Sequence, residues 1–245
     1  MAMMEAEKNF KEMLLKGSLE LGLDLSLNQI NSFYQYFEYL VGENKKYNLT
    51  SIVDMEGVVV KHFLDSLTCS KTASFLGKKV VDMGTGAGFP GMPLKIVFPD
   101  IKLTLVDSNN KKVQFVKSLG NLLEIKELQC IQARAEDAGR VDELREAFDI
   151  ALSRAVAPLN ILAEYCLPLV KPGGVFISMK GPQAVQEMEQ AATAIKAMGG
   201  GGVELKVLKL PLIYDSRSLV IIQKISSTPH IYPRKTGLPS KKPIQ

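Results

Sequence analysis

From Lys79 onward, short apolar runs alternate with amphipathic segments, and the first run ends in the glycine loop Asp82-Met83-Gly84-Thr85-Gly86-Ala87-Gly88. Few folds accommodate that order. Strands are expected over 79–83, 102–107, 128–133, 148–153 and 175–180, with helices reaching Phe98 and over 111–123, 160–169 and 183–198. Such alternation predicts right-handed βαβ units on a parallel sheet. It then stops: 204–210 and 218–225 read as strands joined by a link too short for a parallel crossover. The expected class is α/β: a Rossmann-like, mostly parallel seven-stranded sheet with a terminal antiparallel hairpin and an N-terminal helical extension.

Residues 1–77 read as that extension, 78–228 as the sheet domain and 229–245 as a basic tail. Ser26 and Gln29 form a capping box. Ile30, Phe33, Phe37 and Leu40 follow at the spacing of one helical face. A polar link is expected over 42–51, then a helix over 58–76 ended by Gly77. No acidic residue follows Asp215, while Arg217, Lys224, Arg234, Lys235, Lys241 and Lys242 follow it; without these six the net charge falls from +4 to −2. A tail of that kind suits a phosphate backbone or is a solvated end, and the sequence leaves both open.

The chain is 46% hydrophobic and 23% charged, a globular balance rather than a disordered one. Its cysteines, Cys69, Cys130 and Cys166, are odd in number and far apart, which argues against a disulfide framework and suits a reducing cytosol. Charges among the first 15 residues argue against a signal peptide. No apolar run nears the roughly 20 residues of a membrane span. A cytoplasmic monomer away from the membrane is expected. His62 and His230 are the only histidines and lack clustered partners, so no metal site is expected.

Gly84, Gly86 and Gly88 permit positive φ and let a ligand approach the backbone. The helix behind them, with Pro90 and Pro93 in its first turn, offers free N–H groups. Asp107 ends the second strand, 19 residues past Gly88, where a carboxylate can hold both hydroxyls of a ribose. A nucleoside-bearing cofactor is implied. The stretch 86–91 also satisfies G-x-G-x-x-G, so a nicotinamide or flavin is a competing reading. Against it, Asp82 stands ahead of the loop, where it would repel a pyrophosphate but attract the amino and sulfonium groups of S-adenosylmethionine. The hairpin is foreign to the dinucleotide fold. Ala135-Glu136 follows the third strand, where methyltransferases place a residue at the adenine.

Flanking motifs narrow the reading further. Tyr47-Asn48-Leu49-Thr50, Lys61-His62-Phe63-Leu64-Asp65-Ser66, the loop 82–91, Ser153-Arg154-Ala155 and Tyr232-Pro233-Arg234-Lys235 occur in the order of one bacterial family. From about residue 26 to its end the chain resembles the ribosomal RNA small subunit methyltransferase G family, also called the glucose-inhibited division protein B family. The resemblance implies S-adenosyl-L-methionine as cofactor and methyl transfer to N7 of a guanine in 16S ribosomal RNA, free or in the small ribosomal subunit. It also implies cofactor contacts at Gly84, Phe89, Ala135, Glu136 and Arg154. Met83 and Ala87 stand where relatives often carry other small or aliphatic residues.

Guanine N7 presents an in-plane lone pair and no proton, so attack on a sulfonium methyl needs alignment rather than a general base. The chain agrees: no Asn-Pro-Pro-aromatic motif follows the fourth strand, and Cys166 lies in a helical, core-like pattern. The common arginine fork on O6 and N7 would cover the reacting atom. The base is therefore expected to be read on its Watson–Crick edge, unpaired or flipped out. His62, Asp65 and Ser66 share a helical face, either as a wall of the guanine pocket or as a junction between helices and sheet. Arg154 ends the fourth strand, where such sheets open their crevice. Lys180, Arg217, Tyr232, Arg234 and Lys235 are RNA-contact candidates by charge and stacking, against ordinary solvated side chains. Another RNA or a small molecule as acceptor, or an RNA-binding module without catalysis, are the alternatives.

Overall fold

The computed structural model describes residues 2–245 and opens with two long helices, α1 (Ala2–Glu20) and α2 (Leu27–Tyr47). Ser26 Oγ accepts from the Gln29 amide at 3.3 Å, and Gln29 Oε1 accepts from the Ser26 amide at 2.9 Å, the reciprocal cap expected. The same glutamine reaches further. Its Nε2 donates to Ile96 O and Val97 O, 3.0 Å each, at the end of α5 (Gly91–Val97). One side chain thus satisfies orphan groups on two helices.

Two expectations here need correction. The polar link foreseen over 42–51 is mostly helix: α2 runs to Tyr47, and Asn48 caps it in the left-handed region at φ 49. Asn44 makes the difference, since its side chain pairs with both the N–H (2.8 Å) and the C=O (2.9 Å) of Thr50, folding the chain back onto the helix end. Nor is 58–76 one helix. After the short α3 (Met55–Gly57) it breaks into a π-helical stretch Val58–Leu64, α4 (Asp65–Leu67) and a 3-10 turn ending at Lys71. Ser66 Oγ donates to His62 O at 2.6 Å and Thr72 Oγ1 to Cys69 O at 2.7 Å, so hydroxyls compete for the carbonyls of a regular helix.

The strands are β1 (Lys79–Met83), β2 (Lys102–Asp107), β3 (Leu128–Gln132), β4 (Phe148–Arg154), β5 (Val170–Lys180), β6 (Gly200–Lys209) and β7 (Ser216–Lys224). They form one sheet in the order β3-β2-β1-β4-β5-β7-β6. Pairing is parallel except where β7 lies antiparallel to both β5 and β6. The hairpin therefore inserts its second strand next to β5, and β5 and β6 each begin earlier than their apolar runs suggest. Helices α6 (Asn110–Leu122), α7 (Ala135–Ala138), α8 (Leu159–Cys166), α9 (Ala184–Ala197) and α10 (Leu238–Lys241) complete the chain.

Strand periodicity divides the core in two. Val80, Leu105, Ile150, Leu152 and Ile177 pack with Phe10, Phe33 and Phe63, so the N-terminal helices share the core of one sheet face. Val81, Val106, Ala151, Phe176 and Val220 point the other way, into a core with Leu162, Cys166 and Ile195. Because β1 lies between β2 and β4, the strand order reverses there, and a crevice opens at the strands' C-terminal ends.

Candidate cofactor and substrate cavity

A cavity of about 610 Å³ fills that crevice, lined by the loop from Met83 to Ala87, by Phe89, Asp107, Ala135, Glu136 and Arg154, and by His62. The Gly84 and Thr85 amides donate to Val106 O at 2.8 and 3.1 Å, which folds the loop over the end of β2. Gly86 has φ 59, and a Cβ there would meet nothing within 4 Å, so the loop leaves its backbone open to a ligand. Gly88 serves packing instead: a Cβ would stand 2.6 Å from Tyr36 Oη and 2.9 Å from Met92 Cγ.

Asp82 is fully buried and does not line the cavity. Its Oδ2 accepts from Thr85 Oγ1 (2.8 Å) and the Gly91 amide (2.9 Å), while Oδ1 has no protein partner. Burial pushes its carboxyl up to about 6. The acid ahead of the loop therefore shapes the turn from behind, where the sequence had suggested a charge facing the ligand.

Asp107 faces the cavity. Its Oδ2 accepts from the Gly86 amide at 3.0 Å and its Oδ1 from the Asn109 amide at 2.9 Å. Each oxygen keeps lone-pair capacity for another donor, which fits a vicinal diol. Ala133 and Ala135 supply an apolar stretch beside the Glu136 carboxylate. A lining of acceptors, glycine backbone and small apolar groups fits a nucleoside bearing amino and hydroxyl groups.

Phe89 organises the opposite wall. Tyr36 stacks on it at 5.4 Å between centroids and His62 at 4.5 Å, with the Arg154 guanidinium 4.9 Å from the ring centre. Tyr36, fully buried, anchors the sandwich by donating to Ala87 O. Arg154 Nη1 pairs with Asp65 Oδ2 at 3.2 Å, and Arg217 Nε holds the other carboxylate oxygen at 3.0 Å. Asp65 is thus the shared anion of two arginines from β4 and β7. Of the face 62/65/66, His62 reaches the cavity, whereas Asp65 and Ser66 stand behind it, buried.

The basic candidates separate by environment. Lys180 Nζ donates to Ala157 O and pairs with Glu187, both at 2.7 Å, and its side chain is 8% exposed. Arg234 is locked to Glu164 at 2.6–3.0 Å. Tyr232 is half-buried against the second core, and Lys235 is exposed. Sequence reasoning singled out no role for Lys112, Arg134, Tyr165, Thr236, Gly237 or Ser240, all of which line the cavity. Arg134 sits just past the end of β3 and Lys112 in the first turn of α6, positions that could have marked them. The tail residues gave no such signal. Leu49 and Thr50 also line it, within a motif already noted. Among the described residues, no group of three His, Cys, Asp or Glu could hold a metal ion.

A family model described as rRNA small subunit methyltransferase G matches residues 29–219. The chain is 48% identical over 237 residues to a protein from Alkaliphilus metalliredigens named "Ribosomal RNA small subunit methyltransferase G", covering 96% of this chain and 99% of that one. A protein of the same name from Desulforamulus reducens is 47% identical over 232 residues, covering 94% and 97%. Among solved structures, one described as a predicted O-methyltransferase from Agrobacterium tumefaciens superposes with TM-score 0.53 at 21% identity, over 68% of this chain and 81% of that one. A likeness at that identity speaks for the fold alone.

Proposed function

Since this chain belongs to the rRNA small subunit methyltransferase G family, we propose that it transfers a methyl group from S-adenosylmethionine to N7 of a guanine in 16S ribosomal RNA. The cavity carries the reading: a diol-sized carboxylate at Asp107 and an open glycine backbone at Gly86 face a wall built on Arg154 and His62. Asp107 would hold the ribose, Ala135 and Glu136 the adenine, and Gly84, Phe89 and Arg154 the remainder of the cofactor. When bound, the cofactor supplies a methyl group already activated on a positive sulfur.

What the protein adds is placement. Burial, then the charge of Arg154, push the His62 imidazole down to about 4, so it is neutral at physiological pH. N7 has no proton to give up, and no base is required of His62. Arg154 is committed to Asp65, Lys61 O, His62 and the Phe89 face, so it cannot fork onto O6 and N7. The reacting nitrogen stays open, which leaves the Watson–Crick edge of the base as the side to be read. Lys112, Arg134 and Lys235 take RNA phosphates, whereas Lys180, Arg217 and Arg234 spend their charge within the fold. No helix of the described residues is long and apolar enough to cross a membrane. A ribosomal RNA substrate supports our reading of a cytoplasmic protein, which we take to act as a monomer.

The test uses methyl-labelled S-adenosylmethionine and small-subunit RNA from cells lacking the enzyme. Label is expected in 7-methylguanosine and lost with Arg154→Ala. Label in any other nucleoside overturns the N7 assignment.

A further inference from the structure

We propose that the C-terminal segment 232–240 is a latch forming the adenine-side wall of the cofactor cavity, with Gly237 and Ser240 contacting the bound nucleoside. The inference rests on the S-adenosylmethionine reading above. Three residues of this segment, Thr236, Gly237 and Ser240, line the cavity together with the β1 loop and the end of β2. The Gly237 amide donates to Glu136 Oε1 at 2.8 Å, and Ser240 Oγ pairs with the Tyr165 hydroxyl at 2.9 Å. Glu136 and Ala135 are the residues placed at the adenine, so the segment borders that end.

The latch is held mainly by polar groups reaching out from the sheet domain. Arg234 gives Nε and Nη2 to Glu164, whose side chain is 1% exposed, and its amide donates to the same carboxylate at 2.7 Å. Arg145 donates to Tyr232 O at 2.9 Å and Arg140 to Pro233 O at 2.9 Å. Thr236 Oγ1 donates to Asp137 Oδ1 at 2.8 Å, and a Cβ at Gly139 would stand 2.9 Å from Pro233 Cγ. Glu164 belongs to α8, Asp137 to α7, and Gly139 and Arg140 directly follow α7, so most anchors act on or next to the helices that carry Glu136 and Tyr165. Gly237 itself has φ 81, a backbone that glycine adopts freely, and there its N–H turns onto Glu136. The Tyr-Pro-Arg-Lys motif thus uses its arginine to close the cavity wall rather than to meet RNA.

Calorimetric titration with S-adenosylhomocysteine and with 5′-methylthioadenosine tests this on the wild type, a chain ending at Pro233, Arg234→Gln and Ser240→Ala. Both ligands carry adenosine, and only the first carries the amino acid. The shortened chain should lose about tenfold in affinity for both ligands alike, and the point variants about threefold. Should the shortened chain fail to fold, the two point variants decide, with ligand-free melting temperature as the measure of structural damage. Unchanged affinities despite a lowered melting temperature overturn the latch, leaving a structural strap. Loss confined to S-adenosylhomocysteine overturns the adenine-side placement. A wild type that binds neither ligand overturns the cofactor reading itself.

Discussion

Arg154 Nη2 lies 3.3 Å from His62 Nδ1, and Lys61 O lies 3.2 Å from the same nitrogen. Nε2 stands 2.8 Å from Thr50 Oγ1, a hydroxyl that can donate to a bare ring nitrogen or accept from a protonated one. A protonated ring would put a donor against a donor and a cation beside a guanidinium.

This fixes the sign of a pH effect. In the unfolded chain His62 titrates near 6.5 and in the fold near 4, so the unfolded state takes up its proton first as pH falls. The contribution of His62 to stability is full above pH 6.5 and is lost on going down to pH 4, on the order of 3 kcal/mol in all. Asp82, raised to about 6 from 3.8, acts oppositely: its ionisation costs stability as pH rises through that window. Comparing wild type with His62→Gln by denaturant unfolding isolates the histidine. The stability gap between them should shrink as pH falls from 6.5 to 4, and a constant gap would refute the assignment.

Asp65, 6% exposed, is the common partner of Arg154 and Arg217. Removing it with Asp65→Ala strands the charges of both arginines and should cost about 3 kcal/mol. Arg217→Ala leaves the Asp65–Arg154 pair intact, and with a side chain 26% exposed it should cost under about 1 kcal/mol. Urea unfolding of the two variants reads the difference. Equal losses would show that Asp65 is not the centre of the cluster.

The two loop glycines should fail in different ways. Gly86→Ala strains a residue at φ 59 by about 1 kcal/mol but meets open space, so melting shifts little while S-adenosylhomocysteine affinity drops about tenfold. Gly88→Ala drives a methyl group against Tyr36 and Met92 at φ 100 and should cost more than about 2 kcal/mol. Calorimetry and thermal melting separate the two, and the reverse pattern would refute the division of roles.

Much of this was legible locally. The Ser26/Gln29 cap, the strand–loop–helix order and Asp107 at its strand end depend on residues near one another in sequence, through φ preferences, periodicity and capping. The family motifs identified Arg154, Glu136 and Phe89 as residues of interest without saying what surrounds them. Local reasoning failed where side chains intervened: Asn44 lengthened α2 through Thr50, and serine and threonine hydroxyls broke the helix over 58–76.

The sequence by itself determined the strand–helix alternation and the glycine loop at its first turn, because these follow from backbone stereochemistry and short-range spacing. Only the tertiary structure decided that β7 enters between β5 and β6, that Asp82 lies behind its loop, and that Arg234 meets Glu164 across 70 residues of chain. A charge in a sequence carries no record of its partner. Pairing is settled by which surfaces the folded core brings together, and here it turned a basic tail into part of a cavity wall.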